Sequence, residues 1–530
     1  MHWSDVVAQR LAERGKKHIV STGITPSGEF HIGHLREILT GDMISKAAKK
    51  AGLDVEFVFI VDSADPLRKV YSFLDDSYSA YIGHQLKQIP PPNEFGMPDL
   101  ERFSNGVSYA DHFLEPFKEA LTQIDVHPRF IDNFDSYANG EFAETARQAC
   151  NNADKIREII ERVSGRQLAD DWFPWNPIDS NGSIDGIRVN GWEDPLVHWT
   201  DSEGRQGTSD VTKGEGKLPW RVDWPAKWAW IGVTMEPFGK DHGAAGGSFD
   251  TGKEIVELFG VKAPLDLTYE WISLRGKGAM SSSSGNTIGP LEALSLVPPE
   301  ILRYLVASTK PNKAIEFDTG MGLVNLADEF ERATARDFSL EMEKEGLSRR
   351  QIVAIEDAKT AVELSCISEK EEASLVTFRH LALLAQTKSK DEDVWGSLGL
   401  IESVSQAMID RLQRMRTWIQ SKHFPDELRI TILEHPDSDA IGLLDDQNMK
   451  VLPDLIASLR ACEWTVKEIQ SAISSAASNN EIAPRSVYRA LYLCIMGRER
   501  GPRLPTILVE LDRDSILSLL DACIQAKKES

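Results

Sequence analysis

A strand, a loop containing glycine and proline, a helix and a second strand follow one another within residues 18–61, and this order constrains the fold most. Residues 18–21 form a short β-branched run, residues 22–28 form the loop, and a helix is expected over about residues 31–51. The apolar run at residues 55–61 has the length of a buried strand. Two strands joined by a helix form a βαβ unit with parallel strands. Ligands of such sheets bind beyond the carboxyl ends of the strands, where the loop and Asp62 are expected.

The residue types change along the chain in a way that indicates more than one domain. Residues 170–225 are rich in Trp, Asp, Gly and Pro, which predicts a small β-rich insertion, and residues 226–290 return to the earlier character. From about residue 330 onward Leu, Ala, Glu, Lys and Arg predict helices, with connections at residues 391–400 and 424–446. The expected fold class is therefore an α/β domain with a β-rich insertion, followed by an all-helical C-terminal region.

The charge balance excludes one broad class of function. The 530 residues include 59 Lys and Arg against 82 Asp and Glu, a formal net charge of −23. A chain with this balance does not coat nucleic acid or anionic membranes through bulk charge. Any polyanionic partner must therefore bind a local basic face.

The cysteines and the N-terminal segment indicate the compartment. The five cysteines are scattered without a Cys-x-x-Cys pair, so a disulfide framework is not expected and a reducing compartment fits. The first twenty residues carry charges throughout and lack the apolar core of a secretory signal, and no run has the length of a membrane span. We therefore expect a cytoplasmic protein with no membrane partner.

The first motif that indicates chemistry is PSGEFHIGH at residues 26–34. His31 and His34 are three residues apart at a helix start, so both rings can face one side. Unpaired N–H groups and the positive end of the helix dipole suit a phosphate there. Gly33 lies between the histidines, where a side chain would block a flat ring such as adenine. The motif resembles the HIGH signature of class I aminoacyl-tRNA synthetases, and the resemblance assigns ATP contacts to a set of residues: Pro26, His31, Ile32, Gly33 and His34.

The second motif is RGKGAMSSSSGN at residues 275–286, which resembles the KMSKS loop of the same class. In that class, backbone N–H groups and lysines hold the ATP phosphates as charge moves onto pyrophosphate. Aligned on the methionine, the two lysine positions of the signature read Ala279 and Ser284 here. Lys277 and Arg275 lie just upstream, within reach of the phosphates, and we expect Lys277 to take over the lysine function. The resemblance assigns ATP contacts to Lys277, Met280, Ser281, Ser282, Ser283 and Ser284.

Longer motifs narrow the resemblance to class I lysyl-tRNA synthetases, of the archaeal type. They are DPLRKV at residue 65, KLPWRVDWP at residue 217, EPFGKDHGAAGGS at residue 236 and GRERGPRL at residue 497. The implied fold is a Rossmann catalytic domain over residues 1–290, including the insertion. A helical region that contacts the tRNA stem over residues 291–390 and a helical anticodon-binding domain over residues 391–530 complete it.

The resemblance implies a lysine pocket, and residue chemistry suggests its members. A buried ε-ammonium needs a carboxylate, and Glu37, on the helix that follows the HIGH motif, is the first choice. Trp220 and Tyr269 can wall the aliphatic stem and face the cation. Gly23 and Thr25 are expected in the loop after the first strand, where they can hold the α-amino and carboxylate groups. Asp241 and His242 complete the expected set.

The implied reaction activates lysine with ATP and Mg²⁺ to lysyl-adenylate and transfers the lysyl group to the terminal adenosine of tRNA(Lys). It needs no covalent enzyme intermediate, because positioning and charge stabilisation carry the rate. Arginines contact phosphates and an aromatic ring can stack an unpaired base. The candidate tRNA contacts on this ground are Arg411, Arg414, Trp418, Arg498 and Arg500.

Two alternatives remain open at this stage. A glutamyl- or arginyl-type class I synthetase shares the signatures, although a glutamate pocket would need an arginine where Glu37 stands. A decayed paralogue that binds tRNA without charging it is the other alternative. The absent loop lysines are the only feature that favours it.

The insertion is expected to lack structural zinc. Members of the family often carry a zinc ribbon here, but no cysteine occurs between Cys150 and Cys366, and His198 is the histidine available for a ligand. Structural zinc in a ribbon needs four ligands, mostly thiolates. We expect aromatic packing to replace the metal. The residues concerned are Trp172, Trp175, Trp192 and Trp199.

Overall fold

The computed structural model describes residues 1–275, 278–279, 287–367, 376–400 and 404–529. These residues form two compact units. The first unit comprises Met1–Leu294, Pro298–Asp318 and the segment that starts at Arg332. The second comprises Ser295–Val297, Thr319–Glu331 and the described residues from 376 onward.

The strands of the described chain fall into small sheets and one larger parallel sheet. In chain order they are β1 (Lys17–Ile24), β2 (Asp54–Val61), β3 (Arg129–Asp132), β4 (Asn176–Pro177), β5 (Arg188–Glu193), β6 (Leu196–Thr200), β7 (Gln206–Asp210), β8 (Gly216–Lys217), β9 (Met235–Gly239), β10 (Leu265–Tyr269), β11 (Ile272–Leu274), β12 (Gly278–Ala279) and β13 (Ile315–Phe317).

The helices cover the first unit's sheet and make up most of the second unit. In chain order they are α1 (Trp3–Ala12), α2 (Ile32–Lys50), α3 (Leu100–Ser104), α4 (Tyr109–Gln123), α5 (Asn133–Ala138), α6 (Ala143–Asn151), α7 (Ala153–Ser164), α8 (Trp220–Ile231), α9 (Ser248–Leu258), α10 (Pro290–Leu296), α11 (Pro299–Ala307), α12 (Met321–Thr334), α13 (Phe338–Met342), α14 (Arg349–Ser365), α15 (Phe378–Thr387), α16 (Asp391–Ser397), α17 (Gln406–Gln420), α18 (Ser438–Gly442), α19 (Asp446–Ala461), α20 (Val466–Asn479), α21 (Pro484–Met496), α22 (Leu504–Leu508) and α23 (Arg513–Glu529). Short 3-10 turns occur at Asp76–Tyr81, Leu86–Gln88 and Asp426–Leu428.

The central sheet of the first unit has the strand order β10-β9-β1-β2-β3, with all neighbours parallel. The run Phe57–Val61 of β2 is apolar and buried throughout, as is typical of a parallel sheet whose faces are covered by helices. The chain builds outward from β1 in both directions, so the order of the strands reverses there. In open α/β sheets the crevice at such a reversal, beyond the carboxyl ends of the strands, is where ligands bind. The predicted α/β fold class with a helical C-terminal region is confirmed.

The first strand is longer than the sequence predicted. The β1–β2 ladder continues to the pair formed by Ile24 and Val61, so Gly23 lies inside the strand and the loop begins at Thr25. Gly23 fits there because a Cβ atom would lie 3.0 Å from the carbonyl oxygen of Ile60 on the neighbouring strand. The expectation that Gly23 belongs to the loop is therefore wrong. Strand pairing continues through Gly23, although a glycine usually interrupts the residue pattern of a strand.

The insertion between α7 and α8 contains a three-stranded antiparallel sheet, β5-β6-β7, and the two-stranded pair β4-β8. Trp175 and Trp199 are buried, and Trp172 and Trp192 pack against the same core at partial exposure. The indole N–H of Trp175 donates a hydrogen bond to Ser209 across 2.8 Å. The end of the predicted insertion differs, because α8 already begins at Trp220.

The second unit is built from helices packed on an apolar core that α19, α20, α21 and α23 share. The two segments expected as plain connections each contain a helix. Asp391 opens α16, where three acidic residues in the first turn complement the helix dipole, and α18 lies inside residues 424–446. Within the described ranges, no helix has the length and apolar character of a membrane span.

Candidate active site

His31 and His34 form a reciprocal hydrogen-bonded cap at the start of α2. The backbone N–H of Gly33 donates to Nδ1 of His31 across 3.1 Å, and the backbone N–H of His31 donates to Nδ1 of His34 across 3.0 Å. The two ring centroids are 4.0 Å apart. Because both Nδ1 atoms accept hydrogen bonds, the proton of each neutral ring lies on Nε2. The reciprocal cap therefore fixes one tautomer for both imidazoles.

Burial keeps both histidines neutral at physiological pH. It lowers the pKa of His31 to about 4 and, with a contribution from neighbouring His31, the pKa of His34 to about 3. Each ring therefore retains an Nε2–H group as a hydrogen-bond donor for an anionic ligand. No proton has to be taken up before these donors can act.

The backbone N–H groups at this helix start are occupied, contrary to the expectation from sequence. Ile32 donates to the carbonyl of Ile288 across 2.9 Å, Gly33 donates to His31, and His34 donates back to the carbonyl of His31. A phosphate at this position would thus meet imidazole N–H donors and the helix dipole rather than unpaired backbone groups. Sequence reasoning missed this because histidine is an uncommon N-cap residue.

The loop before α2 is anchored at both sides of Pro26. The Thr25 hydroxyl donates to Asp65 Oδ2 across 2.7 Å, and the carbonyl of Ser27 accepts from the hydroxyl of Tyr109 across 2.8 Å. Pro26 itself is buried. The loop therefore carries the helix start in a fixed position at the carboxyl end of β1.

Glu37 lies one turn further along α2, with both carboxylate oxygens engaged. Gly23 donates its backbone N–H to Oε1 and the Tyr269 hydroxyl donates to Oε2, each across 3.0 Å. Burial nevertheless raises the pKa of Glu37 to about 8 against the lowering effect of these two hydrogen bonds, and the nearby carboxylates of Glu236 and Asp241 add smaller contributions in the same direction as burial. A buried carboxyl with this pKa gains most from a cationic ligand.

Of the other candidates for the lysine site, Tyr269 contacts Glu37 directly, and Trp220 and His242 lie against each other. Trp220 stacks on Trp224 with ring centroids 5.3 Å apart, and the His242 ring lies 5.1 Å from Trp220. His242 Nε2 is 3.3 Å from the exposed Asp241 carboxylate, although burial still lowers its pKa. Asp241 also raises the pKa of buried Tyr269, which connects this group to Glu37. The structure thus gathers the seven residues assigned to lysine at one end of the sheet.

A buried network of five charged side chains lies beneath the site, and sequence reasoning singled out only Asp62 of them. Lys217 Nζ is 2.7 Å from Asp65 and 3.4 Å from Asp223, and Lys227 Nζ is 2.7 Å from Asp223 and also pairs with Asp62. All five are at most 7% exposed. The available signal was the position of the two aspartates directly after an apolar strand.

Glu236 is a second buried carboxyl that the sequence did not single out. It lies in β9, and its two oxygens accept the indole N–H groups of Trp224 across 2.8 Å and Trp228 across 2.5 Å. Burial raises its pKa to about 7 against the effect of these hydrogen bonds. A glutamate inside a five-residue buried strand was the available signal.

The second motif falls mainly on residues that the structure does not describe. Lys277, Met280, Ser281, Ser282, Ser283 and Ser284 lie outside the described residues. Just upstream, Arg275 Nη1 is 2.6 Å from the Asp318 carboxylate. One of the two cations expected near the ATP phosphates, Arg275, is therefore paired with Asp318.

The candidate tRNA contacts divide into core and surface residues. Trp418 is fully buried between Phe378 and Phe424, and its indole N–H donates to the Thr319 carbonyl across 2.8 Å, so its ring is not available to stack a base. Arg411 is buried as well, 3.0 Å from Glu331. These two expectations need correction, because the basic helix that suggested them turns both residues into the apolar core.

The three other arginines remain at or near the surface. Arg414 is half-buried, Arg498 donates to the backbone carbonyls of Asp426 and Arg429, and Arg500 is exposed. Among the described residues, His, Cys, Asp and Glu side chains form no group of three that could hold a metal ion.

Comparison with known proteins gives consistent matches over nearly the whole chain. The family model described as tRNA synthetases class I (K) matches residues 1–359, and the anticodon binding domain model matches residues 384–524. The chain is 38% identical to the lysine–tRNA ligase of Thermoplasma volcanium over 99% of each protein. It is 34% identical to that of Archaeoglobus fulgidus, over 99% of this chain and 100% of the relative. A glutamate–tRNA synthetase structure from Elizabethkingia anophelis aligns with a TM-score of 0.44 at 12% identity, covering 96% of this chain and all of that one.

Proposed function

The chain belongs to the class I lysine–tRNA synthetase family, and from this membership we propose how its residues activate lysine and recognise tRNA. It is a lysine–tRNA ligase, which uses ATP to activate lysine to lysyl-adenylate and transfers the lysyl group to the terminal adenosine of tRNA(Lys). The observation that carries the site assignment is the buried Glu37 carboxyl, which Gly23 and Tyr269 hold by hydrogen bonds.

Glu37 is proposed to bind the ε-ammonium group of lysine. An ionised carboxylate buried without a cation is costly, and the raised pKa of Glu37 expresses that cost. The ε-ammonium supplies the missing charge, and Tyr269 and Gly23 hold the carboxylate in place through their hydrogen bonds. Trp220 and His242 form the wall against which the aliphatic stem packs.

The two neutral imidazoles of the HIGH motif are proposed to donate their Nε2–H groups to ATP phosphate oxygens. Because donors fixed in advance cost no reorganisation when charge develops, they stabilise the transition state of adenylate formation. Mg²⁺ accompanies ATP as its counter-ion. In the second motif, Lys277, Met280 and Ser281–Ser284 are proposed to close over the phosphates, with Lys277 in place of the lysines of the KMSKS signature.

The helical part is proposed to bind tRNA. We assign stem contacts to residues 291–390 and anticodon recognition to residues 391–530, with exposed Arg500 and half-buried Arg414 and Arg498 as phosphate contacts.

All five cysteines are free thiols, which is consistent with a protein that acts in the reducing cytoplasm, where tRNA is charged.

Lysine-dependent exchange of pyrophosphate into ATP tests the proposed function. The purified protein should catalyse exchange with lysine and not with glutamate or arginine at equal concentration. Exchange with glutamate or arginine alone would indicate a different class I specificity. Exchange with no amino acid, together with retained binding of tRNA, would indicate the decayed paralogue that Ala279 and Ser284 leave open.

A further inference from the structure

The Asp65 carboxylate joins the loop after β1 to the buried charged network. Its Oδ2 lies 2.7 Å from the Thr25 hydroxyl oxygen, and its Oδ1 lies 2.7 Å from Lys217 Nζ. Asp65 is 3% exposed and Lys217 is 2% exposed, whereas Thr25 is half-buried and borders the site. Among the residues that the structure describes, the Thr25 hydroxyl connects Asp65 to the site.

Asp65 is ionised in the folded chain, which fixes the direction of the hydrogen bond. Burial alone would raise the pKa of this carboxyl, but the ammonium groups of Lys217 and Lys227 outweigh burial and hold it below the usual value. An ionised carboxylate has no proton to give. Thr25 is therefore the donor, and its single hydroxyl proton is committed to Asp65.

A threonine hydroxyl whose proton is already committed can only accept from a ligand. Lysine presents two kinds of charged group, ammonium groups that donate and a carboxylate that accepts. We propose that Asp65 is a positioning residue that makes Thr25 an acceptor for the α-ammonium of lysine and excludes a contact of this hydroxyl with the α-carboxylate. This inference rests on the proposed lysine site and deepens it.

The spacing along β1 agrees with this assignment. Glu37, the proposed partner of the ε-ammonium, is anchored on the backbone N–H of Gly23, and Thr25 lies two residues further on. Two residues of extended chain span about 7 Å. The six bonds between the two nitrogens of an extended lysine span about 7 Å as well. One lysine can thus contact both anchors.

The network below holds Asp65 in this orientation. Lys217 connects Asp65 to Asp223, and Asp223 accepts from the Tyr137 hydroxyl across 2.5 Å and pairs with Lys227. The network ties the end of β2 to α8, so the loop side chain is oriented before lysine arrives. Preorganisation of this kind lowers the cost of ordering on binding.

Two lysine analogues separate the acceptor from the donor role. Pentane-1,5-diamine lacks the carboxylate of lysine, and 6-aminohexanoate lacks the α-ammonium. Dissociation constants for lysine and both analogues would be measured by titration calorimetry on the full chain, Thr25→Val, Asp65→Asn and the control Asp54→Asn, an exposed aspartate at the far end of β2.

We expect Thr25→Val and Asp65→Asn to weaken binding of lysine and of the diamine about tenfold or more, because a hydrogen bond to a charged group is lost. Binding of 6-aminohexanoate should change less than about twofold, and the control should leave all three constants unchanged. A structural defect would weaken all three ligands together, so the pattern distinguishes positioning from loss of folding.

Three other outcomes have separate meanings. Weakened 6-aminohexanoate with an unchanged diamine would overturn the inference, because Thr25 would then contact the carboxylate. Equal weakening of all three ligands would overturn it as well. Unchanged binding of all three ligands in Thr25→Val would also overturn the inference, while the proposed site at Glu37, which Glu37→Gln tests separately, would stand. If circular dichroism shows that Asp65→Asn does not fold, the changes in the three dissociation constants of Thr25→Val decide. This variant removes the Thr25 hydroxyl, which donates to Asp65.

Discussion

The hydroxyl of Tyr269 donates a hydrogen bond to the Glu37 carboxylate across 3.0 Å, although the two residues are 232 positions apart in the chain. Tyr269 is the last residue of β10, and Glu37 lies in the second turn of α2. Gly23 of β1 meets the same carboxylate from the other side. The group proposed to bind the lysine cation is therefore held by β1, where the strand order reverses, and by β10, the edge strand on one side of that reversal.

Glu37→Gln should weaken lysine binding while ATP binding remains nearly unchanged. The amide keeps the shape of the side chain but removes the charge, and loss of one partner of a buried pair costs about 3–5 kcal/mol. The KM for lysine and the KM for ATP in pyrophosphate exchange measure the two effects. Glu13→Gln, at an exposed position after α1, is the matched control. A lysine KM that moves less than about threefold, roughly 0.7 kcal/mol, would show that Glu37 is not the ammonium partner.

Lysine affinity should rise with pH up to about 8. The ionised form of Glu37 binds the ammonium, and the free protein holds this carboxyl protonated below its pKa of about 8. Affinity should therefore fall by up to about tenfold for each pH unit below that value. The same proton is absent from the unfolded chain above pH 4.5, so Glu37 makes the free energy of unfolding decrease as pH rises between about 4.5 and 8.

Calorimetric titrations between pH 6 and 8 would measure this pH dependence. Glu37→Gln should abolish most of it, because the glutamine side chain does not titrate. A parent protein and a variant with the same slope would assign the dependence to another group, with Glu236 as the nearest buried carboxyl of raised pKa.

Lys277→Ala should slow adenylate formation more than it raises the KM for lysine. The expected contact forms as charge moves onto pyrophosphate, so it strengthens only in the transition state. Rapid-quench measurement of adenylate formation gives the rate directly. Equal rates for variant and parent would move the role to Arg275 or to the backbone of the loop.

The chelator-treated protein should contain well under one zinc per chain and keep its exchange activity. Trp175 and Trp199 are buried within the insertion, and the Trp175 indole donates a hydrogen bond to Ser209. Elemental analysis beside the exchange assay tests this. Stoichiometric zinc that leaves together with activity would contradict the expectation.

Trp418→Ala should lower the stability of the protein, whereas Arg500→Ala should weaken its interaction with tRNA. Trp418 fills the core of the second unit, so its truncation should lower the free energy of unfolding by about 3–5 kcal/mol. Arg500 is exposed, so its truncation should change stability by less than about 0.5 kcal/mol and raise the KM for tRNA. Thermal denaturation and aminoacylation kinetics separate the two effects. A lower melting temperature for Arg500→Ala, with unchanged KM, would reverse the assignment.

The sequence predicted the parts of this protein that depend on local patterns. Residues 55–61 form a strand and the helix after residue 31 begins and ends within one residue of its predicted bounds, because apolar runs and capping residues act locally. The gathering of Glu37, Tyr269 and Trp220 agrees with motifs that a family resemblance had already marked. Their roles in binding lysine remain predictions.

The parts that could not be predicted depend on partners far apart in sequence. Nothing near Lys217 indicates that it pairs with Asp65. Residue type alone misplaced Trp418 and Arg411, because a basic helix with a narrow apolar face has the same composition whether its aromatic residue faces solvent or the core. The sequence also did not predict the histidine cap at α2, because the first backbone N–H groups of a helix generally have no partner within the helix.

The five-charge network also has a consequence for the order of events on the ribosome. The ribosome adds Asp62 and Asp65 to the chain long before Lys217 and Lys227. Lys227 follows Asp62 by 165 residues. A nascent chain that has not yet reached residue 217 holds these carboxylates without the ammonium groups that neutralise them, and an unpaired buried charge is strongly destabilising. The early βαβ unit therefore cannot complete its native interior during the first part of translation. Its final packing waits for α8 to emerge, and the N-terminal third of the chain depends on later sequence to become a finished domain.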